Sequence, residues 1–283
     1  MTSSLARTPG PRSPLAMGLA RRVAVAVTLL AAGTAPSACS SHSPIVRGVP
    51  LVRDVLPDPP FPEGWRVVDL TLPLDAAAPR APHAKQFPFE RIDLAPTSAG
   101  GPRTGAFTAM EHMGTHLAAP RTRVEAGASV DTFGGADLLL PLVVVDLPPK
   151  LAADGALPLE EIVADERENG LFPPGAAVIL RTRRPSAPHP GLSLGATRLL
   201  AERKVRILGT DAPAIDASAL RDAPSQSAAA QAGLFVLLNL RRLDDLPSRG
   251  AFVVVGALPV VGASGSPARV IALVRSGPGG GAR

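Results

Sequence analysis

The sequence predicts one α/β domain of about 210 residues, spanning 64–275. Three observations predict it. Seven short apolar runs rich in β-branched residues read as strands. Only three stretches carry helical spacing. The chain is 46% hydrophobic but 3% aromatic, with no Tyr and one Trp, so Val, Leu, Ala and Ile must fill the core. The 32 prolines and 27 glycines fit many turns better than long helices.

The elements follow in order. Val67–Leu72 is the first strand. Leu142–Leu147 holds three consecutive valines and is the second. Leu159–Glu168 follows a Pro-rich turn, is acidic, and reads as a helix. Ala177–Arg181 is a short apolar run of strand length. Leu194–Lys204 places Leu194, Leu199 and Leu200 near helical spacing, with charges on the other side. Val205–Gly209 is a strand, and Ala-rich Ser225–Ala232 is the third helix. Leu234–Leu238, Phe252–Leu258 and Val270–Val274 complete the strands. There is no internal repeat.

Charge excludes one class of partner. The formal net charge of +5 is inflated by Arg7, Arg12, Arg21 and Arg22, which lie in residues 1–38 with no acidic residue among them. The remaining chain has 25 basic and 24 acidic residues. It lacks a Lys/Arg stripe interleaved with aromatics, so nucleic acid is not an expected partner.

Residues 1–38 read as a secretory signal: Arg21-Arg22, the apolar run Val23–Ala35, then small Pro36-Ser37-Ala38. The apolar run is short for a bilayer span. Met17 as the start gives a leader of more ordinary length. Cys39 is the only cysteine, so no intrachain disulfide forms. Its position resembles a lipobox, in which the thiol is lipidated and the protein is held at a membrane surface. Pro36 departs from that pattern, and soluble export is the alternative. Residues 39–63 are polar and Pro-rich, a tether that carries a solvated His42. Residues 276–283 read as a disordered Gly-rich tail.

The chemistry-bearing stretch is His112-Met113-Gly114-Thr115-His116-Leu117-Ala118-Ala119-Pro120-Arg121-Thr122. It resembles the cyclase-family signature H-x-G-T-H-x-D-x-P-x-H, a family that includes bacterial kynurenine formamidase (arylformamidase). Further segments resemble the family in family order. They are Val68-Asp69-Leu70-Thr71, Val130-Asp131-Thr132, Leu180-Arg181-Thr182 and Gly209–Asp216. Leu240–Leu246, Ala257-Leu258-Pro259 and Gly265–Arg269 follow. The resemblance implies a mixed β-sheet or barrel-like core with flanking helices, and a dimer or higher homo-oligomer. It also implies metal-dependent hydrolysis of amides of the N-formylkynurenine type, on the route from tryptophan to kynurenine.

In that family the two histidines and the Asp bind a divalent metal, zinc or manganese, which acidifies a water. His112 and His116 match the first two ligands. Ala118 replaces the Asp and Thr122 the last His. The family's later Glu falls at Leu238, and its partner His near Gln226. Ala118 cannot bind metal, Thr122 cannot act as a base at neutral pH, and neither Leu238 nor Gln226 can move a proton; an acid–base group is worth roughly 10²–10⁴-fold. Gly114 matches a position where a side chain would crowd the site, and Thr115 is placed to bond a neighbouring loop.

Two readings of the site stay open: a metal-dependent hydrolase using His112, His116 and an unidentified third ligand, or a non-catalytic descendant that keeps a small-molecule pocket in the cell envelope. Glu111, Glu125, Asp131, Asp211 and Asp216 are alternative ligands, against the plainer reading that they bond turn backbone. His83 and His189 sit among prolines in loops and read as exposed, with a third metal ligand as the alternative for each. A zinc-protease helix is excluded because Met113 holds the Glu position and Gly114-Thr115 is poor helix material. Ser264-Gly265-Ser266 lacks the glycine and strand-to-helix setting of a nucleophile elbow.

Overall fold

The computed structural model describes residues 64–79, 87–94, 101, 104–220 and 222–276. The leader, Cys39, the tether with His42, His83 and the residues after 276 lie outside the described residues.

Strands β1 (Trp65–Asp69), β2 (Glu90–Asp93), β3 (Gly105–Thr108), β4 (His116–Ala118) and β5 (Leu139–Asp146) come first. Then follow β6 (Ala156–Leu157), helix α1 (Leu159–Asn169), β7 (Ala177–Arg181), β8 (Gly191–Leu192), α2 (Leu194–Glu202) and β9 (Ile207–Thr210). The last elements are α3 (Pro224–Gln231), β10 (Phe235–Leu238), β11 (Ala251–Ala257) and β12 (Gly265–Arg275).

The main sheet runs β1-β12-β11-β5-β7-β9-β10-β4, and β4 also pairs with β12. Seven strands therefore close into a ring, with β1 attached outside it on β12. Closure depends on the length of β12. Its start, Gly265–Pro267, pairs with β4, and the stretch from Ala268 onward pairs with β11 and β1. The β5–β7–β9–β10 pairs are parallel and the remaining pairs of the ring antiparallel. This is the mixed, barrel-like α/β core that the resemblance implied.

The parallel strands are apolar on both faces because both are covered. Leu142, Val144, Ala177, Ile179, Ile207, Phe235 and Leu237 join one cluster, which also takes in Leu117, Val253 and Val270. The alternate residues Val143, Val145, Val178, Leu180, Leu208, Val236 and Leu238 pack against Ile162 of α1, Ala196 and Leu200 of α2, and Ala229 of α3. The period of two thus sorts each strand between a ring interior and a helix-covered outside. Full burial of a side chain such as Leu237 contributes roughly 1.5–3 kcal/mol.

Several sequence boundaries shift. The strand expected at Val270–Val274 begins at Gly265, because Gly265 and Pro267 extend along β4 instead of turning. The second strand starts earlier, at Leu139, and ends at Asp146. The α2 helix stops at Glu202, two residues short of Lys204, which takes a positive φ of 58°. Short β2, β3, β4, β6 and β8 were not expected, since two to four residues carry too little periodicity. Among the described residues no helix is long and apolar enough to cross a membrane.

Candidate functional site

The turn before β4 builds the site. Gly114 has φ of +61°, a backbone region that favours glycine. An added Cβ would meet only ordinary contacts, 3.5 Å to Leu74 Cδ1 and 3.7 Å to Ala78 Cβ. The glycine is therefore required by backbone conformation, and the crowding expected there is corrected. Gly114 N donates to Pro79 O at 2.7 Å. Thr115 Oγ1 donates to Asn239 O at 2.6 Å and accepts from Leu72 N at 2.9 Å. Asn239, itself at φ 57°, returns its Nδ2 to Gly114 O at 2.8 Å. The 72–79 segment and Asn239 thus hold the turn that presents both histidines.

His116 is buried, and its Nδ1 donates to Gly114 O at 3.0 Å. A carbonyl only accepts, so the tautomer leaves Nε2 with a free lone pair. Burial pushes the His116 pKa down to about 4, partly opposed by the Gly114 bond and assisted by His112. His112 is half-buried; burial lowers its pKa too, with the Glu111 carboxylate opposing. The two rings meet edge-on with centroids 5.2 Å apart. The sequence-matched pair is therefore together in space and neutral at pH 7.

The remaining signature positions separate. His116 lies opposite Leu238 of β10, and Ala118 opposite Val236. By strand alternation Ala118 and Leu238 share the His116 face, while Leu117 points the other way. Ala118 and Leu238 are buried and belong to the outer apolar cluster. Thr122 Oγ1 donates to Ser264 O at 2.9 Å. Gln226 Oε1 accepts from Arg123 Nη2 at 3.1 Å. A methyl at Ala118, an isobutyl at Leu238, and hydrogen-bonded Thr122 and Gln226 occupy the four positions matched to ionisable groups of the family.

The alternative carboxylates bond backbone. Asp131 accepts from Gly262 N, Asp211 from Thr182 N and Arg183 N, and Asp216 from Ser225 N and Gln226 N at the start of α3. Glu125 is exposed. His189 is not exposed as expected: it is 4% accessible, its Nδ1 lies 3.2 Å from Pro190 O, and its backbone N donates to Ser218 Oγ. The cause is local packing, since Ser218 N bonds His189 O and folds the loop inward.

Ser264, set aside in the sequence because it lacks a nucleophile-elbow setting, joins the histidine pair in space. Ser264 Oγ lies 3.0 Å from His112 Nε2 and donates to Glu111 Oε2 at 2.5 Å. Glu111 Oε2 also accepts from Ser264 N at 2.9 Å. The residues are over 150 positions apart, so only closure of β12 on β4 joins them. The signal available was Gly265, whose added Cβ would fall 2.5 Å from His112 Cε1. A ring packed this closely on the backbone needs glycine beneath it. A cavity of about 330 Å³ beside Glu111 and His112 is lined by Phe87, Pro88, Thr108, Ala109 and Met110.

This donor set falls short of a catalytic metal centre. Such a site uses three protein ligands and an open position. His112 and His116 supply two neutral imidazoles, and among the described residues no group of three or more His, Cys, Asp or Glu side chains could hold a metal ion.

The family model described as "Putative cyclase" matches residues 68–217. The chain is 28% identical over 212 residues to kynurenine formamidase of Polaromonas naphthalenivorans, covering 73% of this chain and 90% of that one. Among solved structures, isatin hydrolase A from Ralstonia solanacearum is 31% identical with a TM-score of 0.65, covering 75% of this chain and 92% of that one. A structure described as a "predicted metal-dependent hydrolase" from Bacillus stearothermophilus is 26% identical with a TM-score of 0.60, covering 75% and 99%.

Proposed function

This chain belongs to the cyclase family of hydrolase-like proteins, and we propose that it keeps the family fold and pocket without the metal-hydroxide route to amide hydrolysis. One observation carries the reading. His116 shares its sheet face with Ala118 and Leu238, where a ligand and a base would be needed. Zinc lowers the pKa of water from 15.7 to about 7. Without a held metal the hydroxide available at neutral pH falls by about eight orders of magnitude. No acid–base residue, worth roughly 10²–10⁴-fold, closes that gap.

What remains is a binding site. The cavity has the volume of a small-molecule pocket, with Phe87 and Met110 for an aromatic ring and Glu111 and His112 for polar substituents. A small aromatic carbonyl compound fits this lining, in keeping with the isatin and kynurenine of the relatives' names. N-formylkynurenine hydrolysis is at most weak. The leader and Cys39 support export and lipid anchoring on the envelope.

The test is metal content and turnover of the purified chain after equilibration with zinc or manganese. Substoichiometric metal and negligible N-formylkynurenine hydrolysis agree with the reading. Stoichiometric metal and matching activity, both lost in His112→Ala and His116→Ala, overturn it.

A further inference from the structure

We propose that Ser264 is a metal-independent acyl acceptor for activated aryl esters, with Glu111 as its base. The Ser264 hydroxyl lies between two groups. Its Oγ donates to Glu111 Oε2 at 2.5 Å, and His112 Nε2 lies on its other side at 3.0 Å. Both distances are within the reach required of a nucleophile and its base. Because the single hydroxyl proton is directed to Glu111, His112 presents Nε2–H to Oγ. Ser264 is half-buried and Glu111 exposed, so the cluster is reachable from solvent.

The environment selects the substrate class. The cavity lined by Glu111 and His112, the two partners of the Ser264 hydroxyl, is also lined by Phe87, Pro88 and Met110, room for an aryl group. Ser264 N is already given to Glu111. An oxyanion hole donor is typically worth 10²–10³-fold, so the site is matched to esters whose leaving group is stable as an anion. Unactivated amides are excluded on the same ground.

The step balances. Ser264 Oγ attacks the ester carbonyl and its proton passes to Glu111. A new Oγ–acyl bond forms as the aryl–oxygen bond to the carbonyl breaks, releasing phenolate. Glu111 returns its proton to the phenolate. Water then attacks the acyl carbon, giving its proton to Glu111, while His112 Nε2–H hydrogen-bonds the departing Oγ. Glu111 finally reprotonates Oγ, and the carboxylic acid leaves.

The experiment incubates the full chain with p-nitrophenyl acetate, with and without a chelator, and maps acetylated peptides by mass spectrometry. Expected are an acetyl group on Ser264, turnover insensitive to chelator, and losses of about 10²-fold in Ser264→Ala and Glu111→Gln. The adduct on the unaltered protein reads the proposal even where a variant misfolds. No acetyl on Ser264, together with wild-type turnover in Ser264→Ala, overturns it and leaves the metal-free binding reading standing. Turnover abolished by chelator and restored by zinc overturns both.

Discussion

Acid should destabilise this protein through His116, and the size of the effect follows from burial. His116 is neutral in the fold with its pKa pushed down to about 4, against 6.5 for a free imidazole. Its folded pKa is depressed, so the unfolded chain binds more protons between those values. The stability it contributes is complete above about pH 6.5 and is lost as pH falls toward about 4. For one such group the loss is about 2 kcal/mol at pH 5 and about 3 kcal/mol at pH 4. That is a large part of a typical 5–15 kcal/mol stability. The assay is chemical denaturation across pH 4–8 in the presence of a chelator, for the wild type and His116→Gln. Gln retains an amide donor for Gly114 O but does not titrate. Lowered carboxylates such as Asp146, held by Arg181, and Glu166, held by Arg203, lose their contribution only at lower pH and do so in both proteins. The wild-type minus variant difference should therefore fall by about 2 kcal/mol between pH 7 and 5. A difference that stays flat over that window refutes the buried, neutral His116.

Three further outcomes can be checked. Gly265→Ala drives a methyl to within 2.5 Å of His112 Cε1; denaturant titration should show a loss of roughly 1–3 kcal/mol, and the His112 ring resonances should shift. Asp216→Ala removes the acceptor for Ser225 N and Gln226 N at the start of α3; a loss of about 1 kcal/mol is expected, largely recovered in Asp216→Asn. Ala118→Asp places a carboxylate on the His116 face, destabilising the metal-free protein because Ala118 is 2% accessible. Zinc at about 100 times its dissociation constant should restore about 2.7 kcal/mol to that variant and leave the wild type unmoved; an equal response of both would refute the shared face.

The ring was legible wherever a strand was long and buried on both sides. Leu142–Val145, Ala177–Leu180 and Phe235–Leu238 are continuous apolar runs because one face meets the ring interior and the other the helices. The short strands were illegible for the opposite reason. His116–Ala118 has three residues, and its strand character comes from β10 and β12, more than 110 residues away. The same limit governed the site. The histidine pair lies four residues apart in one segment, so its pattern survives in a linear reading. The Ser264 contact spans 152 positions and has no linear pattern. His189 looked exposed because its neighbours are prolines, yet burial is decided by the Ser218 loop that folds over it.

The contacts of the two signature histidines explain how an apolar setting holds them. His116 Nδ1 and Asn239 Nδ2 converge on one acceptor, Gly114 O, and Asn239 O takes the Thr115 hydroxyl. Removing His116 leaves that buried carbonyl with one partner fewer and opens space beside Leu238. Position 118 has the reverse sign, since an unpaired buried carboxylate there would cost several kcal/mol and the Ala118 methyl costs little. Burial favours Ala118 and Leu238 over ionised side chains at these positions and keeps the His116 imidazole neutral. His112 is kept by a different contact, its Ser264 bond above the Gly265 backbone. Both signature histidines are thus held by hydrogen bonds within the chain that need no metal.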